Sequence, residues 1–121
     1  MVDISGAWLG TYWQVGVPTR FESTLVQGGM TITGWILDCG VLGEAQVTGA
    51  VSGRSIRFTK TYLTVAQGAI AYTGTIAEDE MFMAGVWQIG PASGPWEARR
   101  TGDNLTVDQS VLAAKALGQG R

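Results

Sequence analysis

Turn-forming clusters interrupt this chain about every ten residues, and that spacing restricts its fold more than any other feature. The clusters are Gly16-Val17-Pro18, Gly28-Gly29, Cys39-Gly40 through Gly43, Ser52-Gly53, Ala66-Gln67-Gly68, Glu78-Asp79 and Gly90-Pro91 to Pro95. Between them, apolar and polar residues alternate with the period of a half-buried strand. Strands are predicted over about 4–14, 19–27, 30–38, 44–52, 54–63, 68–76, 80–90 and 95–101. Links of about two to six residues suit hairpins and leave no room for parallel crossovers. Eight consecutive antiparallel strands make an all-β, up-and-down meander. Closing it into a β-barrel removes the edges that an open sheet would expose. A two-sheet sandwich is the competing arrangement.

The length of 121 residues suits a single domain spanning 1–121, with the barrel over about 4–101. The tail differs in pattern. Asn104 or Thr106 can cap a short C-terminal helix over about 105–118, with Val107, Val111 and Ala114 as its apolar stripe and Gly118 as its stop. That helix is expected to pack on the barrel wall or on a neighbouring subunit.

Absences narrow the chemistry. There is no histidine, which removes Ser-His-Asp and Cys-His hydrolysis, the usual His-bearing zinc sites and haem on a proximal His. The net charge is −2, and Arg99-Arg100 is the only basic pair, so neither nucleic acid nor an anionic membrane is expected as a partner. Cys39 is the single cysteine and cannot form an internal disulfide. The start MVDISGAW has neither a basic region nor an apolar run, and no membrane-length apolar stretch follows, so a cytoplasmic location is expected. Glu78-Asp79-Glu80 lacks the spacing of a calcium loop, and no metal or other cofactor is expected.

Gly6-Ala7-Trp8 places a G-x-W on the first strand, and Trp96-Glu97-Ala98-Arg99-Arg100 ends the last one on arginines. This pairing resembles the calycin barrels: lipocalins, fatty-acid-binding proteins and avidins. The resemblance implies a tryptophan plugging one end of the barrel beneath a basic side chain, here Trp8 and Arg100. Arg100 is preferred to Arg99 because it shares a face with Trp96 and Ala98. The biotin-contacting set of the avidins has no match, so biotin is not implied.

Turning Trp8 inward also turns Gly6, Gly10 and Tyr12 inward. The matching faces are Phe21/Ser23/Leu25, Ile32/Gly34/Ile36, Val47/Gly49/Val51 and Ile56/Phe58/Lys60/Tyr62. They continue with Ile70/Tyr72/Gly74/Ile76, Met81/Met83/Gly85/Trp87 and Trp96/Ala98/Arg100. The inward glycines either let strands bend at barrel corners or leave empty volume beside the aromatics. The second reading predicts a ligand cavity lined by Tyr12, Phe58, Lys60, Tyr62, Tyr72, Met83 and Trp87.

Lys60 is the one charged residue in its inward row. A lysine there must reach water, meet a carboxylate or lose its proton. It can snorkel from the barrel mouth, pair with Asp38, or meet an anionic or carbonyl ligand among the tyrosines. In the last arrangement, Lys60→Met is expected to hold stability while weakening binding. Trp13, Trp35, Leu37, Phe82, Ala84 and Val86 make the outer wall apolar enough to suggest a homo-oligomer. The expected function is non-catalytic binding of a small hydrophobic or amphipathic molecule, an anionic one included. The alternatives are a small isomerase or cyclase using Lys60 and tyrosines, and a self-assembly domain with a filled barrel.

Overall fold

The computed structural model describes residues 2–64 and 68–101. Its strands are β1 (Gly6–Gln14), β2 (Val17–Gly28), β3 (Thr31–Asp38), β4 (Glu44–Ser52), β5 (Ser55–Tyr62), β6 (Ile70–Ile76), β7 (Phe82–Ile89) and β8 (Ala92–Arg100). Each strand pairs antiparallel with the next, and β8 pairs with β1, so the meander closes into a barrel. Among the described residues there is no helix, and none that could cross a membrane. The helix expected over about 105–118 lies outside the described residues.

Tight hairpins fix the register. Gln14 pairs with Val17 around the two-residue turn Val15-Gly16, in which both residues have positive φ, the backbone twist that matches paired strands. This turn starts β2 two residues earlier than the sequence suggests and puts Pro18 inside it, opposite Trp13. Proline is tolerated there because β3 pairs with β2 only from Phe21 onward, so no neighbour requires an N–H from residue 18.

Alternation then turns one face of every strand inward, and the core contains the inward set almost as the period predicts. Met81 is the exception, 44% exposed. The β6–β7 link runs through Glu80 at φ +61, and Asp79 accepts the Met81 N–H, which carries Met81 outside before β7 begins.

The inward glycines mark close approaches, not vacant space. A Cβ on Gly10 would run into the Phe21 ring and the Glu97 carbonyl. One on Gly74 would meet the Trp96 ring at 2.8 Å. Sharp coiling of the strands brings these groups together, and aromatic rings fill the volume that glycine vacates. Phe58 stacks on Tyr72 at 4.7 Å, and Trp96 packs edge-on against both, at 5.8 and 5.6 Å.

One end of the barrel is plugged by the N-terminal segment 2–5. Gly6, at φ +129, turns the chain from this plug into β1. Ile4 has no exposed surface and accepts the Trp8 indole N–H at 3.0 Å. Arg100 lies 4.7 Å over the Trp8 ring and donates to the carbonyls of Asp3, Ser5 and Glu80. Gln27 completes the clasp: its carbonyl accepts from Ile4 N, and its amide donates to the carbonyls of Val2 and Gly29. Gln27→Ala removes these three bonds and should cost about 1–3 kcal/mol. Urea unfolding measures it, and an unchanged midpoint would show that the Gln27 bonds contribute nothing to holding the plug.

The outer wall exposes Leu9, Val26, Trp35, Leu37 and Val86. Leu9, Glu22, Leu37 and Glu44 follow one another across four strands, so charge interrupts this apolar row. Phe82 is covered in part by the Arg99 guanidinium, 4.8 Å above its ring.

Candidate functional site

A buried polar cluster occupies the barrel end opposite Trp8. Asp38 is the last residue of β3, while Lys60 and Tyr62 lie near the end of β5. Tyr12 comes from β1 and Tyr72 from β6. Between β3 and β5, the inward residue of β4 at this level is Ala45, which pairs with both Ile36 and Tyr62. Its small side chain leaves Asp38 and Lys60 free to meet across the interior.

Lys60 Nζ lies 3.0 Å from each oxygen of Asp38, and Lys60 is 0% exposed. Of the three arrangements open to this lysine, the fold uses the internal ion pair. The Tyr12 hydroxyl donates to Asp38 Oδ2 at 3.0 Å, and the Tyr62 hydroxyl donates to the same oxygen. The rings of Tyr12, Tyr62 and Tyr72 surround the ammonium with centroids at 4.6, 4.7 and 5.7 Å. A cation within about 6 Å of a ring face gains from the ring's quadrupole, most of all when water is excluded. The Tyr72 oxygen accepts a long bond from Lys60 at 3.5 Å.

Burial governs how these groups titrate. Desolvation raises Tyr62 and Tyr72 far above the ordinary phenol range, and raises Tyr12 as well, because each phenolate would form beside the Asp38 charge in a site with little water. Desolvation lowers Lys60, and the Asp38 carboxylate opposes that shift.

Next to the cluster is a cavity of about 50 Å³, with walls from Tyr12, Tyr62, Tyr72, Trp87 and Ile70, and with Gln14, Leu42 and Ile89 toward solvent. Four of the residues singled out from the sequence therefore line it: Tyr12, Tyr62, Tyr72 and Trp87. The others do not. Lys60 lies beneath the tyrosines, Phe58 stacks behind Tyr72, and Met83 is buried on β7 between Ile76 and Ala98. Sequence reasoning missed Gln14, Leu42 and Ile89 as wall residues. Leu42 sits in a link, where no periodicity assigns a face.

A roomier groove of about 490 Å³ lies at the plugged end, among Val2, Met30, Gly53 and the exposed Arg54–Glu78 pair. Hairpin turns and the plug form its walls, and its polar groups are wet, so it lacks the desolvated donors and acceptors of the opposite end.

Fold and site together define an eight-stranded closed meander barrel, plugged at one end and carrying a tyrosine-caged ion pair at the other. No protein-family model matches the sequence, and no curated protein matches it.

Proposed function

We propose that this is a calycin-like carrier barrel that binds a small amphipathic molecule at its tyrosine-lined end. The polar end of the ligand enters the cavity, and its apolar part lies across Leu42, Ile70 and Ile89. The observation that carries this reading is the cavity itself, where the aromatic packing stops short above a desolvated polar cluster. Sites for small molecules combine mostly apolar walls with a few placed polar groups, and this end has that make-up. A volume of about 50 Å³ accepts a head group, not a whole ligand, so most of the molecule lies over the rim.

The Lys60 amine is enclosed and held by both Asp38 oxygens, which favours binding over amine-based catalysis. Titration of the ¹⁵N-labelled protein with 1-octanol should move amide resonances of residues 12–14, 42, 62, 70–72 and 87–89. Ile89→Glu, which places a charge on the rim, should weaken that binding at least tenfold while the barrel stays folded by circular dichroism. Shifts at the plugged end, or none anywhere, would reject the site.

A further inference from the structure

We infer that the polar end of the ligand is an uncharged hydrogen-bond acceptor, a ketone- or amide-type carbonyl oxygen received by the Tyr72 hydroxyl. This rests on the site proposed above and adds the ligand's chemical class.

The hydrogen bonds of the cluster leave one donor over. Tyr12 and Tyr62 both give their protons to Asp38 Oδ2. The Trp87 indole N–H is used by the Trp13 carbonyl, and that of Trp96 by the Thr73 carbonyl. Tyr72 is different. Its oxygen accepts from Lys60, but among the described residues its proton meets no acceptor, although Tyr72 is only 2% exposed. A buried donor without a partner is costly, because it gives up its bond to water and gains none in exchange. Packing against Phe58 and Trp96 fixes the ring, so the hydroxyl oxygen cannot move to a different partner. Tyr72 also forms part of the cavity wall, the side from which an acceptor can arrive.

Charge balance excludes the two ionic heads. The Lys60 charge is already cancelled, because Asp38 holds it through both oxygens. An incoming carboxylate would give up its hydration in a site with little water and find no uncancelled positive charge to replace it. An ammonium head would find Asp38 Oδ2 bonded to three donors and Oδ1 held by Lys60. Size agrees with a carbonyl. At about 10–15 Å³ per water-sized position, the cavity of about 50 Å³ holds a head of a few heavy atoms and no ring.

Three probes with one chain length separate the possibilities: octanamide, octanoate and octylammonium, titrated calorimetrically into the full chain at pH 7. Octanamide should bind at least tenfold tighter than either ion. Tyr72→Phe keeps the stacked ring and removes the donor, and should weaken octanamide roughly fivefold, in line with one neutral hydrogen bond. Gln27→Ala, at the opposite end, should leave octanamide binding unchanged. If Tyr72→Phe does not fold, the order of the three probes on the unmodified protein decides alone. Octanoate or octylammonium binding as well as octanamide would overturn the neutral head while leaving the site intact. Equal octanamide affinity in Tyr72→Phe would overturn the role of Tyr72. No binding by any of the three would reject the carrier reading itself.

Discussion

Asp38→Ala should lower the folding stability of this barrel by about 3–5 kcal/mol, the cost of leaving a buried charge without its partner. Lys60 has no exposed surface, and both of its short bonds go to this one carboxylate. Without Asp38 the ammonium keeps only the three tyrosine rings and the long contact to Tyr72. The hydroxyls of Tyr12 and Tyr62 lose their acceptor at the same time.

Lys60→Met is the converse change, and the ion pair reverses the sequence-based expectation that it would hold stability. It strands the Asp38 carboxylate, which still accepts two tyrosine protons, so its cost should fall at the lower end of the same range. Asp38→Leu combined with Lys60→Met removes both charges and should recover most of the loss, because matched apolar replacement of a buried pair is near neutral. Chemical unfolding of the single and double variants closes the cycle. A midpoint for Asp38→Ala equivalent to less than about 1 kcal/mol of loss would show that the enclosed pair contributes nothing to stability.

The pairing of Lys60 with Asp38 was legible in the sequence only as one of three arrangements: alternation puts both residues on the inward face, and a buried ammonium requires a partner, but a partner can also be water or a ligand. Trp8 and Arg100 share a face by the same rule, and they meet across the plugged end. Alternation states which side a residue faces but not its height along the barrel axis, which depends on strand tilt and stagger. Phe58 and Met83 show the difference. Both are inward, yet one is covered by Tyr72 and the other lies on β7 away from the cavity. The glycines were ambiguous for a related reason, since whether Gly74 leaves a void depends on Trp96, a residue two strands away. Residues 2–5 carry no periodic signal as a plug. Their placement comes from Gln27 and Arg100, whose partners are backbone carbonyls and an amide that any residue could supply.

Above about pH 10.5 the barrel should lose stability steeply, and its tyrosines should ionise only as it unfolds. The chain contains 3 Tyr, and all of them, Tyr12, Tyr62 and Tyr72, surround the Lys60–Asp38 pair. Burial raises each above the ordinary value of 10.0, so in this range the folded protein holds phenol protons that the unfolded chain releases. Stability therefore falls as pH rises through 10.0 and keeps falling toward the folded values. Lys60 acts in the opposite sense. Its value is lowered from 10.5, so the unfolded chain binds the extra proton and stability gains with pH, but only until 10.5, where both states are neutral. Beyond that point the tyrosines act unopposed. Each approaches about 1.4 kcal/mol per pH unit, so Tyr62 and Tyr72 together approach about 2.7. Over two units this is comparable with the 5–15 kcal/mol that holds a typical domain together. Absorbance at 295 nm reads the tyrosines and circular dichroism reads the barrel, and the two transitions should coincide. Tyr72→Phe should reduce the slope of stability against pH by about one proton's worth. Phenolate appearing near pH 10 while the circular dichroism holds steady would place the tyrosines in water and dissolve the cage around Lys60.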